Sequence, residues 1–170
     1  LRVEVLHQVG DYDGALAAIY DAQPALETAG AASQVALTLL HVHQQDALLR
    51  LGRNADAAVA QQKVAALFGE LEPLPQVELV LLQGQLAATR GDEESAAAAL
   101  TRAERLEGAL ADGLATDEQR KLLRARIKLA RADAALAGAS SGEAANLYVE
   151  ALDGVADLAA SQEVIEFRVA

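Results

Sequence analysis

The side chains able to do acid–base or metal chemistry are few in this chain, and they are badly spaced for it. There are three histidines, His7, His41 and His43, and no cysteine. His41 and His43 stand two apart, so on a helix they diverge by about 200° and cannot ligate one ion. His7 is isolated in sequence. The paired histidines of zinc sites and the carboxylate–histidine spacing of di-iron bundles are both missing. Asp11-Tyr12-Asp13-Gly14 begins like a calcium loop but lacks the downstream carboxylates, and a helix cap accounts for it. No phosphate loop, nucleophile elbow or serine–histidine arrangement is present. The expectation is a protein that is not an enzyme and uses neither metal nor cofactor.

The positive charges are better organised. Lys121, Arg124, Lys128 and Arg131 step by three, four and three residues, which makes one stripe of a helix. Leu123, Ile127, Ala130 and Ala134 form the apolar stripe of the same helix. One reading of the basic stripe is a docking face for an acidic partner. The plainer reading is a solvated face paired with nearby acids such as Glu104 and Glu107, each exposed pair being worth ~0–1 kcal/mol. Against 25 acidic residues the chain has 14 basic ones, a formal net charge of −11. That balance repels phosphates, so nucleic acid is not expected as a partner of this segment. No apolar stretch reaches the ~18 residues of a membrane span, and residues 1–10 do not form a signal peptide. Zero cysteines fit a reducing, cytoplasmic setting. The excess of Arg over Lys, with abundant Ala, suggests a GC-rich bacterial source.

The elements that must position these groups read as helices throughout. Hydrophobic residues make up 52% of the chain but aromatic ones only 3%, with no Trp or Met. The apolar mass is Ala, Leu and Val, which suits close helix packing. Nine helices are predicted, at 1–9, 12–23, 32–51, 54–69, 76–90, 92–109, 117–137, 141–158 and 161–170. Pro24 ends the second, and Pro73 with Pro75 marks a loop before the fifth. Asp11, Asn54, Asp92 and Ser161 stand as single N-caps. Thr116 with Gln119 and Ser140 with Glu143 have capping-box spacing.

One turn recurs. Gly10-Asp11-Tyr12-Asp13-Gly14-Ala15 is followed by Ala22, and Gly91-Asp92-Glu93-Glu94-Ser95-Ala96 by Ala103. Gly52 to Ala57 with Val64, and Ala139 to Ala144 with Ala151, are looser copies. In each, a left-handed residue ends one helix and a cap starts the next, and alanines seven apart share the buried face. Ile19, Leu100 and Tyr148 supply the larger side chain between them; Gln61 is the exception. Turns this short join antiparallel helices, so the chain is expected to be an all-α array of antiparallel helical hairpins stacked as a solenoid.

The turn with its second helix resembles the tetratricopeptide repeat, most closely at residues 10–22 and 91–103. First helices match less well. Gly84 alone supplies the small residue that the repeat uses for tight crossing, while Val3, Gln45 and Ala132 stand in the equivalent places. The turns are also spaced 42, 39 and 48 residues apart, against the usual 34. Such long periods are similar to divergent arrays in bacterial multidomain transcription regulators and signalling proteins.

The resemblance implies a right-handed superhelix spanning residues 1–170 as one domain, with first helices lining a concave groove. It assigns Glu4, His7, Val42, Asp46, Leu49, Leu81, Gln85, Ala88, Leu129, Asp133 and Leu136 to that groove. Its implied function is a protein- or peptide-binding scaffold. Val42, Leu81 and Asp46 stand where a carboxylate clamp would need Lys, Arg or Asn, so a chaperone-type C-terminal peptide is disfavoured. The alternative is a small-molecule-sensing domain of a regulator, for which a closed, ligand-sized cavity would speak; an open, shallow groove favours the scaffold. The chain begins and ends within apparent helices and is expected to be part of a longer protein. Val164, Ile165 and Phe167 would then leave an apolar edge suited to self-association through the terminal helices.

Overall fold

The computed structural model describes residues 2–111 and 113–156, and among these the chain is all-helical, without a strand. The helices are α1 (Arg2–Gln8), α2 (Tyr12–Ala29), α3 (Gln34–Arg50), α4 (Asn54–Phe68), α5 (Pro73–Thr89), α6 (Glu93–Gly108), α7 (Asp117–Ala137) and α8 (Ser141–Asp153). A short 3₁₀ turn, Gly30–Ser33, links α2 to α3. The ninth predicted helix, with Ser161, Val164, Ile165 and Phe167, lies outside the described residues. The chain divides into two compact units, Leu1–Pro75 and Gln76–Ala170.

The four recurrent turns share one backbone solution. Asp11 N–H donates to Leu6 and Gly10 N–H to His7, and the same pair of bonds recurs at Arg53/Gly52, Asp92/Gly91 and Ser140/Ala139. This six-to-one and five-to-two pairing is the Schellman motif, which satisfies carbonyls that a helix end leaves without partners. It needs a left-handed residue. Gly10, Gly52 and Gly91 have φ of 77°, 71° and 75°, and Ala139 adopts 64° despite its Cβ.

Capping follows the sequence at some turns and departs from it at others. Asp11 and Asp92 accept from Gly14 and Ser95 N–H at 2.9 and 3.1 Å. Thr116 and Gln119 form the reciprocal capping box. Asn54, however, is already the first helical residue, because the Schellman turn makes Arg53 the N-cap. Ser140 is the N-cap of α8 without a side-chain capping bond, so the second expected box does not form.

The prolines also behave differently from expectation. Pro24 does not end α2 but lies inside it. Both Pro24 and Tyr20, whose carbonyl loses its usual partner, are exposed, so water can satisfy that carbonyl. Pro73 and Pro75 fall in the first turn of α5, where no intrahelical N–H bond is lost.

In the first unit, Leu16, Ile19, Ala47, Leu48, Ala57 and Ala60 form one core, flanked by Val3, Tyr12, Leu40, Leu49 and Leu51. Ala57 and Ala60 bring α4 close to α3, and Ala60 takes the buried place adjoining the exposed Gln61. Ala22 is half-buried, unlike its counterparts Val64, Ala103 and Ala151, which are buried.

In the second unit, α5 and α6 cross at Gly84. A Cβ there would meet Leu100 Cδ2 at 2.8 Å and Ala99 Cβ at 3.4 Å. The missing side chain is therefore what lets the two axes approach. Ala125, Ala151 and Val155 form a small core between α7 and the end of α8, with Leu122 and Leu129 packed against it.

Candidate functional site

The first unit brings together side chains that the sequence leaves far apart. His7 on α1 lies with its ring centroid 5.1 Å from that of His43 on α3 and 5.8 Å from that of Tyr12. It is thus not isolated in space. His7 Nδ1 is 3.1 Å from the carbonyl of Val3, which can only accept, so that nitrogen carries the proton. Its Nε2 sits 3.5 Å from Asp46 Oδ2 without forming a hydrogen bond. Asp46, 1% exposed, accepts from Arg50 Nε at 2.8 Å. The Arg50 guanidinium also reaches the Tyr12 hydroxyl at 3.2 Å and stacks over its ring. The buried carboxylate is thereby compensated by a cation, as burial of charge demands.

His43 is buried in this cluster. Burial, reinforced by the neighbouring His7, holds its pKa below 6.5, while Glu4 and Asp46 oppose the shift. His41 points elsewhere, with Nδ1 3.0 Å from Gln44 Oε1, and burial lowers its pKa too. Among the described residues, no group of three or more His, Cys, Asp or Glu side chains is arranged to hold a metal ion. What the cluster does physically is tie α1 and the start of α2 to α3.

The second unit carries a cleft between its two first helices, α5 and α7. Gln85, Ala88 and Thr89 line one wall and Ala130, Asp133 and Ala137 the other, around a volume of about 260 Å³ open to solvent. Ala130, Asp133 and Ala137 follow one another at helical spacing, so α7 presents alanine, carboxylate, alanine along one face. Asp133 is exposed, and its Oδ1 accepts from the Tyr148 hydroxyl of α8 at 2.5 Å. That bond, then burial, pushes the Tyr148 phenol pKa up. Nearer the α7 N-terminus, Arg126 and Glu78 pair at 3.5 Å.

The groove positions assigned from the sequence therefore divide into distinct environments. Gln85, Ala88 and Asp133 line the cleft. Glu4 is exposed on α1, and Leu136 is exposed near the end of α7. Val42, Asp46 and Leu81 are 2%, 1% and 0% exposed, so they belong to the interior and offer a partner no surface. Leu49 and Leu129 are half-buried against the cores of their units. His7 belongs to the buried polar cluster. The register carried over from the resemblance does not separate surface from interior positions at Val42, Asp46 and Leu81.

The basic stripe of α7 is tied down within the second unit. Arg124 meets Glu107 at 2.8 Å, Lys128 meets Glu150 at 2.9 Å, and Arg131 meets Glu104 at 2.7 Å. Arg131 also donates to the Thr101 hydroxyl. Lys121 is half-buried and likewise engaged. Glu104 and Glu107 are the acids that the sequence nominates as neighbours.

Sequence reasoning missed His43, Arg50 and Tyr12 as members of the polar cluster. Arg50 had a signal, since it stands four residues after Asp46 and forms an i,i+4 pair. His43 had none, because its contact with His7 depends on how two hairpins lie side by side.

Among the described residues, no helix is long and apolar enough to cross a membrane. No protein-family model, curated protein or solved structure matches the chain.

Proposed function

We propose that this chain is a protein- or peptide-binding scaffold, a divergent array of the tetratricopeptide type whose first helices receive the partner. The observation that carries the reading is the open cleft between α5 and α7. Both of its walls are first helices of hairpins, and Gln85, Ala88 and Asp133, which the resemblance assigns to a partner-facing groove, line it. The four Schellman turns and the Gly84 crossing add to the case for a repeated hairpin unit. The openness of the cleft favours an extended partner over an enclosed small molecule.

Charge inversion inside the cleft tests the reading. The double variant Gln85→Arg with Asp133→Arg changes exposed or half-buried side chains. Substitution of Asp46 or Leu81 would instead test stability, since both are buried. The wild-type chain should retain a polypeptide from a cell extract, and the double variant should keep its helical circular dichroism and lose it. Ala98→Arg, on the exposed face of α6, should retain it. Undiminished co-purification by the double variant would remove the cleft from the account.

A further inference from the structure

Within the binding reading just proposed, the residues of the cleft narrow the chemistry of the partner. We infer that the α5–α7 cleft receives a basic side chain, lysine or arginine, from a peptide segment of the partner protein. Its stem would lie on the alanine floor and its cation would reach Asp133.

Three features of the second unit lead there. The first is an unspent charge. Asp133 has no cation within ion-pairing distance among the described residues, whereas the neighbouring Arg126, Lys128 and Arg131 are each paired with a glutamate of the same unit. The second is orientation. The Tyr148 hydroxyl engages Oδ1 of Asp133, which fixes the carboxylate and leaves Oδ2 for a donor from outside. The third is the shape and polarity of the surroundings. Ala88 and Ala130 give a shallow apolar floor with Ala137 at its rim, and the half-buried Gln85 amide across the cleft has no hydrogen-bond partner among the described residues.

A long aliphatic stem ending in a cation complements this set. The methylenes cover alanine surface while the head reaches a carboxylate at the rim. The Gln85 carbonyl oxygen can accept a second hydrogen bond from the same head. An acidic side chain would meet Asp133 with like charge, and an apolar one would leave the carboxylate and amide unused. The formal charge of −11 adds a long-range attraction for basic segments.

The test is a nuclear magnetic resonance titration of the isotope-labelled chain with blocked, alanine-rich peptides carrying one central lysine, norleucine or glutamate. The lysine peptide should shift the backbone amides of Gln85, Ala88, Ala130 and Asp133 and bind about two- to fivefold more tightly than the norleucine peptide, the difference that one exposed ion pair gives. The preference should shrink in high salt. It should vanish in Asp133→Asn, which keeps an acceptor for Tyr148 but removes the charge. Tyr148→Phe should weaken it by a smaller factor, through loss of orientation. Equal binding of lysine and norleucine peptides at these amides overturns the inference while leaving the cleft as a peptide site. Absence of cleft shifts with every peptide overturns both readings.

Discussion

Gly84 of α5 lies so close to Leu100 of α6 that a Cβ on the glycine would come within 2.8 Å of the leucine Cδ2 and 2.9 Å of its Cγ. Leu100 is itself 1% exposed, so it has little room to withdraw. Gly84→Val should therefore cost on the order of 1–3 kcal/mol through overpacking. Gly84→Ala should cost less, because alanine regains about 1 kcal/mol of helix propensity. Urea denaturation of the two variants measures both. Wild-type stability in the valine variant would mean that the two helices do not cross at this point.

Ala139 offers the converse change. It holds φ at 64° in the turn position that Gly10, Gly52 and Gly91 occupy elsewhere. A left-handed conformation costs a non-glycine residue roughly 1–2 kcal/mol. Ala139→Gly should relieve that strain and, after the larger entropy of the unfolded glycine chain, stabilise the protein by a few tenths to about 1 kcal/mol. The melting temperature should rise. A fall would contradict the turn geometry.

Two ion pairs of similar length should differ sharply in worth. Asp46 is 1% exposed and partners Arg50, so Asp46→Ala removes a buried carboxylate from a partly buried guanidinium and the histidine beside it. The expected cost is on the order of 2–3 kcal/mol. Lys128 and Glu150 also meet at 2.9 Å, yet their side chains are 39% and 57% exposed. Lys128→Ala should cost less than about 1 kcal/mol. Chemical denaturation at neutral pH measures the contrast, and equal losses would refute it.

Burial lowers the pKa of both His41 and His43, so the folded chain holds them neutral at pH values where the unfolded chain has begun to protonate them near 6.5. The unfolded state then binds more protons, and stability falls with falling pH. The loss begins below about 6.5 and levels off below the folded-state values. For His43 the charge of His7 reinforces this effect while Glu4 and Asp46 temper it, and for His41 the Gln44 hydrogen bond and then Glu27 temper it while Lys63 reinforces it. Replacing both by glutamine should remove that part of the slope between pH 7.5 and 5.5. The comparison with wild type cancels the contribution of the carboxylates. An unchanged slope would show that the two histidines are not held neutral.

Much of the architecture was legible because it is written locally. The Gly-cap-Ala turns specify Schellman ends and helix starts within a few residues, and three of the four carry glycine where the left-handed residue is needed. Pro24 was misread because whether a proline breaks a helix depends on which side faces water, and that is decided by packing. The cleft proposed as the binding surface was only half legible. A register along a first helix identifies the residues that face its neighbours, as it did for Gln85, Ala88 and Asp133. It does not say how deeply a position is buried, and Val42, Asp46 and Leu81 are interior residues. The polar cluster lay beyond local reading for the same reason, since His7 and His43 meet only after α1 and α3 pack.

The claim that the first-helix cleft is where the partner sits is tested most directly by contact mapping. A benzophenone amino acid can be placed at Ala137, exposed on the rim of the cleft, or at Ala98, exposed on the second helix α6. On irradiation in the presence of the cellular protein pool, position 137 should form a discrete polypeptide adduct that excess lysine peptide suppresses, and position 98 should form none. An adduct at 98 alone, or one at 137 that Gln85→Arg with Asp133→Arg leaves undiminished, would contradict the account.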